Sequence, residues 1–260
     1  MRRYHVLIAA FAVCALAGSA FGWGRMMGGF ACPSGSQYPR GLGYRNNNLY
    51  VATDSPDRCF QTTLAGSVVR SHTLVGDSTK GCAAGVINSV GYYWYIRHRT
   101  YPALCRIYQV VATTGSVVRY FGAPDAGADG LAFMHSGSSD FLFCTSHTER
   151  RLYWLVATTG SVLQSRSLSF APSDLGYGDG YLWVVDTGNQ RLRKCSILGV
   201  HYDSFSVSSY GFPMGCTYDA GRDRVWISFN HPINYVRQFE VSSGSAVVPS
   251  SAGKIKALFR

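Results

Sequence analysis

The feature that most constrains this chain is a repeat of about 45 residues, a period that belongs to repeat architectures and not to ordinary single-core folds. The segments AGSVVR (65–70), TGSVVR (114–119) and TGSVLQ (159–164) are near copies, with weaker versions at LGVHYD (198–203) and SGSAVV (243–248). Their glycines, Gly66, Gly115, Gly160, Gly199 and Gly244, lie 49, 45, 39 and 45 residues apart. A second series runs in phase: Gly41-Leu42-Gly43-Tyr44, Gly85-Val86-Ile87, Gly130-Leu131-Ala132-Phe133, Leu175-Gly176-Tyr177 and Gly215-Cys216-Thr217-Tyr218. A short turn later comes an aromatic at one fixed phase, Tyr50, Trp94, Phe143, Trp183 and Trp226.

Each unit reads as four short strands, here A to D. Strand A opens on the Gly-Leu-like element, and hairpin compositions (RNNN, NSVG, SGSS, GDG, AGRD) lead into the aromatic strand B. Strand C alternates, as in RLYWLV, and a Thr-Gly or Ser-Gly hairpin delivers strand D. No window shows a helical period, so the expected class is all-β. Four-stranded units at this period predict a single β-propeller of five blades over 41–250, each blade built from its own contiguous strands. In that reading 21–40 is a lead-in, 251–260 a tail, and latching by Gly28 to Cys32 an open option. Six blades, using Trp23 to Cys32 and Gly253 to Arg260 as a degenerate sheet, is the alternative.

Residues 1–20 pair Arg2 and Arg3 with the apolar run VLIAAFAVCALAG and end on Gly18, Ser19 and Ala20, the pattern of a cleaved signal peptide. The expected location is secreted, periplasmic or extracellular. The run from Val6 to Gly18 has 13 residues, short of the roughly 20 that a membrane span needs. Cleavage would lower the net charge from +10 to +8 over 240 residues, too modest for an expected nucleic-acid partner. Only 15% of residues are charged, so 47% apolar content builds a core and disorder is excluded. Seven of the eight cysteines remain after cleavage, an odd count that allows at most three disulfides.

The unit Gly-Leu-x-aromatic, Leu-Trp-Val-x-Asp and Thr-Gly-Ser-Val-Val, seen best in DGLAF (129–133), GYLWVVDTG (180–188) and WLVATTGSVL (154–163), resembles propeller repeats of secreted bacterial proteins. It is similar to the NHL-type, streptogramin-lyase-like and glutamine-cyclotransferase-like repeats. The resemblance covers nearly the whole chain after residue 20, yet its motifs describe the blade and not a site. The Asp that such repeats carry before the Thr-Gly hairpin is replaced here by Val111-Ala112 and Val156-Ala157, which counts against a metal role.

No nucleophile elbow, zinc-protease, phosphate-loop or calcium-loop motif is present, so no catalytic residue, cofactor or metal is expected. Asp125 and Asp129, four apart, lack the intervening oxygens of a calcium loop and read as a strand-entry turn. The B–C connections concentrate His and Arg in a sparsely charged chain. The candidate ligand-binding residues are therefore Arg97, His98, Arg99, His147, Arg150, Arg191 and His231 on that rim. The expected function is a secreted, non-enzymatic binding or structural scaffold for a protein or an acidic cell-envelope glycan. The alternative is a propeller lyase or hydrolase at the channel mouth, with His98, His147 or His231 as acid or base. The oligomeric state is not indicated.

Overall fold

The computed structural model describes residues 23–33, 37–76, 78–99, 104–230 and 234–241. Its strands form five antiparallel four-stranded sheets. The first strand among the described residues, β1 (Met26–Ala31), lies outside the first blade. Blade one comprises β2 (Gln37–Arg45), β3 (Asn48–Ser55), β4 (Asp57–Thr63) and β5 (Val68–Thr73), and blade two β6 (Thr79–Ile87), β7 (Val90–Arg99), β8 (Leu104–Val111) and β9 (Val117–Gly122). Blade three is β10 (Ala128–Ser136), β11 (Ser139–Ser146), β12 (Arg151–Val156) and β13 (Val162–Ser167); blade four is β14 (Leu175–Gly178), β15 (Tyr181–Asp186), β16 (Arg191–Ser196) and β17 (His201–Ser206). The last three strands among the described residues are β18 (Phe212–Asp219), β19 (Arg224–Asn230) and β20 (Tyr235–Glu240). The A strands close a ring, β2 on β6, β6 on β10, β10 on β14, β14 on β18 and β18 back on β2. The molecule is a five-bladed β-propeller, and the six-bladed alternative is set aside.

The expectation of contiguous blades holds for four and is corrected for the fifth. Its sheet order is β1-β20-β19-β18, so the outermost strand comes from the N-terminal side of the chain and latches the ring. Residue by residue, β1 copies a D strand. Gly24 has φ +83°, matching +88° at Gly66, +75° at Gly115 and +74° at Gly160, the left-handed conformation that a C–D turn needs and glycine supplies. At four of the five turns the residue six positions on covers the next blade's turn glycine: Phe30 covers Gly66, His72 covers Gly115, Phe121 covers Gly160, and Phe205 covers Gly24, whereas Leu168 covers Gly199. Gly24 thus occupies the fifth turn-glycine site, while Gly244 lies outside the described residues. The amide of Gly24 donates to the Glu240 carbonyl at 2.8 Å, and Arg25 pairs with the Glu240 carboxylate at 3.0 Å.

The in-phase aromatics sit where the repeat places them. Tyr50, Trp94, Phe143, Trp183 and Trp226 each lie across from a small or short residue of strand A: Gly43, Ala83, Ala132, Gly176 and Thr217. That leaves room to pack on the next blade. Trp94 stacks on Phe133 at 5.1 Å and Trp183 on Tyr218 at 6.0 Å. In blade two the matching position is Ala84, and Tyr50 stacks instead on Tyr93 at 5.8 Å. The register also corrects the second glycine series. Cys82 lies across from Tyr95 as Leu42 does from Val51, so Gly81-Cys82, not Gly85-Val86, is the blade-two equivalent of Gly41-Leu42.

Cys32, Cys59, Cys82, Cys105, Cys144, Cys195 and Cys216 are all buried, and the six from Cys59 to Cys216 are free thiols. Cys59 and Cys82 lie in one core cluster where blade one meets blade two, and Cys105 lies in a different cluster.

Candidate functional site at the axis and rim

The register aligns Gly41, Gly81, Gly130 and Gly215 in four blades, and in the fifth place stands Asp174. A side chain at any of the four glycines would meet the backbone of a neighbouring blade: Gly41 faces Gly81, Gly81 faces Gly130, Gly130 faces Asp174, and Gly215 faces Gly41. The inner strands therefore approach too closely for more than one side chain at this level. Asp174 supplies it. Its carboxylate is fully buried and accepts backbone N–H bonds from Leu131 at 3.0 Å, Cys216 at 2.9 Å and Leu42 at 3.4 Å, from blades three, five and one. Burial pushes its carboxyl well above the ordinary carboxylate range, with these backbone donors pulling the other way.

On the A–B hairpin side of Asp174 lies a cavity of about 40 Å³, lined by Leu42, Leu131, Tyr44, Phe133, Tyr177 and Tyr218 among others. That is room for a water or so and not for a substrate. On the other side, the residues just before the axial ring form the channel mouth, and they are paired. Arg40 holds Asp54 at 3.1 Å, Lys80 holds Asp129 at 3.6 Å, and the Ser173 hydroxyl donates to the Met214 carbonyl at 3.4 Å. Asp125 accepts from the amide of Gly127 at 2.6 Å and from the Ser146 hydroxyl at 2.9 Å, as a strand-entry turn does. Among the described residues no group of three or more His, Cys, Asp or Glu could hold a metal ion.

The rim candidates do not converge on one point. His98 Nε2 donates to the Ala128 carbonyl of the next blade at 2.5 Å, and Arg97 donates to the Tyr108 hydroxyl at 3.4 Å. His98 thus joins two blades, and the Arg97 bond lies within blade two. His147 and Arg150 are exposed on the blade-three turn, Arg150 in the left-handed region at φ +50°. Arg191 lies against its own outer strand, Nε on the Ser204 hydroxyl and Nη2 on the Ser204 carbonyl, both at 3.0 Å. Arg99 closes β7 opposite Leu104, and His231 falls outside the described residues. Burial pushes the Cys105 and Cys195 thiols up to about 12, so neither is a thiolate nucleophile at neutral pH. Sequence reasoning missed Asp174. Its one signal was an acid standing where four other blades carry glycine.

No protein-family model matches the chain, nor does any curated protein sequence. Solved structures do. Glutaminyl cyclase of Myxococcus xanthus aligns at 10% identity over 84% of this chain and 97% of that one, with a TM-score of 0.66. The calcium-binding protein regucalcin of Agrobacterium tumefaciens aligns at 11% identity over 83% and 94%, with a TM-score of 0.55. Virginiamycin B lyase of Staphylococcus aureus aligns at 14% identity over 78% and 66%, with a TM-score of 0.48. At such identities the likeness is one of fold. The chain is similar to the first two proteins in being a β-propeller, and the side chains at its axis and rim have to be read on their own terms.

Proposed function

We propose that the protein is a non-enzymatic binding scaffold, exported with removal of residues 1–20, whose partner is a protein or an acidic cell-envelope glycan. The observation that carries this reading is Asp174, whose bonds to three other blades make the axis a packed hub. The mouth above it is closed into ion pairs, and His98 is committed to a neighbouring carbonyl. Chemistry at the surface is then dominated by cationic side chains, in a chain with 24 Lys and Arg against 14 Asp and Glu. Cleavage after Ala20 would leave Trp23, Gly24 and β1 in place to latch the ring, which agrees with export.

The test is titration calorimetry of the purified protein against an acidic polysaccharide and a neutral one of equal length, with product analysis of both. Salt-sensitive binding to the acidic polymer without chain cleavage supports the scaffold. Cleavage that disappears in His98→Ala or His147→Ala favours the lyase or hydrolase reading. Intact mass and N-terminal sequencing of exported protein should find Phe21 first.

A further inference from the structure

We infer that the wall of the ring next to the B–C rim carries an extended anion track: Arg58, Arg106, Arg151 and the rim candidate Arg191, one per blade at the start of strand C, form a path for a linear acidic polysaccharide. The inference rests on the scaffold reading above and names where and what it binds.

These four arginines hold one structural position, the start of strand C. Arg58 lies across from Thr53, Arg106 from Arg97, Arg151 from Ser146 and Arg191 from Asp186. Each is steadied by the same position of its own strand D. Arg58 donates to the Ser71 hydroxyl at 3.5 Å, Arg151 to that of Ser165 at 3.0 Å and Arg191 to that of Ser204 at 3.0 Å, while Arg106 lies over the Tyr120 ring at 4.6 Å. Hydroxyls and a ring orient a guanidinium without neutralising it. None of the four is in an ion pair among the described residues, although Arg25, Arg40, Lys80, Arg193 and Arg222 all are. Even Asp186, directly across from Arg191, gives its carboxylate to Arg193 at 2.6 Å.

Forks held this way retain N–H donors for the bidentate geometry that carboxylates and sulfates accept, and less side-chain entropy remains to be lost on binding. Tyr120, 56% exposed beside Arg106, adds an aromatic of the kind that sugar rings stack on. In blade five the position is Tyr235, with the Arg237 guanidinium over its ring at 5.0 Å, so the track changes from charge to aromatic where the latch joins. One cation per blade suits a polyanion long enough to reach from blade to blade, because each further blade engaged adds to affinity without a new kind of contact.

The experiment measures binding of heparin-derived and galacturonate oligosaccharides, graded by length, to the full folded ring. The wall variant is Arg58→Gln, Arg106→Gln and Arg151→Gln together. A control, Arg25→Gln, Arg222→Gln and Arg224→Gln, removes equal charge from the hairpin side, and a rim variant is His147→Ala with Arg150→Gln. Glutamine keeps a donor for the serines, and denaturation midpoints verify the fold. The expected result is wild-type affinity rising with oligosaccharide length, with the wall variant weaker by about tenfold or more, the control much less affected, and a flatter salt dependence for the wall variant alone. Equal losses in wall and control variants, or an affinity that stops rising at the length of a disaccharide, overturn the track. Loss in the rim variant with none in the wall variant also overturns it and leaves the scaffold reading standing at the rim. No binding by the wild type to any acidic polymer removes the glycan partner and the track together.

Discussion

Asp174 is held by amides from three different blades, so exchanging its chemistry touches the whole hub through one side chain. In Asp174→Asn one oxygen becomes an N–H donor facing an N–H donor, and at least one buried bond is lost at a cost of about 1–3 kcal/mol. Because burial raises the folded-state carboxyl above its unfolded value, its contribution is full below the unfolded value and declines as pH rises through the folded one. Urea denaturation should therefore show a larger gap between wild type and Asp174→Asn near pH 4.5 than near pH 8. Equal stability at both pH values would remove Asp174 as the hub. His72 runs the other way. Burial, then Arg70, lowers it from 6.5, so the unfolded chain takes up a proton first as pH falls. Stability should be lost on acidification from about pH 6.5 downward, and His72→Phe should flatten that part of the profile. Neither role was visible along the chain. An acid in Ser173-Asp174-Leu175 reads as a strand-entry residue until the register lines it up with glycines, and His72 acquires its partner, Gly115, only through the ring.

At the scale of strands and hairpins, the repeated SVVR segment turns out to be a clasp. Arg70 of blade one donates to the Thr113 carbonyl in the C–D turn of blade two at 2.7 Å, and Arg119 of blade two does the same to Thr158 of blade three at 2.7 Å. The third copy reads TGSVLQ, with Gln164 where the arginine was. There the equivalent carbonyl, Ile197, is taken by the buried Trp154 indole at 2.9 Å. Arg119→Met is thus expected to cost about 1 kcal/mol, while Gln164→Arg gains less than that because its acceptor already takes a bond from the Trp154 indole, a contrast that paired thermal melts would read directly. The repeat itself, the hairpins and the phase of the aromatics were legible because each depends on local turn chemistry and strand alternation. The blade-two register was not: GCAAGVI offers two Gly-apolar pairs four residues apart, and only cross-strand pairing to Trp94 and Tyr95 selects the first.

For the whole molecule, the count of five blades was readable and the way the ring shuts was not. Gly24 and Phe30 keep the six-residue spacing of Gly115 and Phe121, but Met26-Met27 replaces Val-Val and the segment sits at the wrong end of the chain to look like a fifth D strand. Since Gly24 and Glu240 already share a backbone bond, joining 241 to 23 through a short loop and opening the chain between 32 and 37 should give a permuted protein with the same fold. Its denaturation midpoint is expected to match or exceed that of the native order, because the fifth turn becomes covalent. Truncation through Ala31 should instead destabilise strongly, since it bares β20 as an edge. The latch also sets a schedule. Synthesis delivers β1 first and its partner β20 last, with every other blade in between, so early blades have to wait as an open arc whose end faces, including Leu42 and Leu49, lack the Trp226 and Val236 that cover them. The latched ring is a product only of chains carried through β20, and a ribosome that stalls before Phe212 releases an arc that can neither close nor hide its ends.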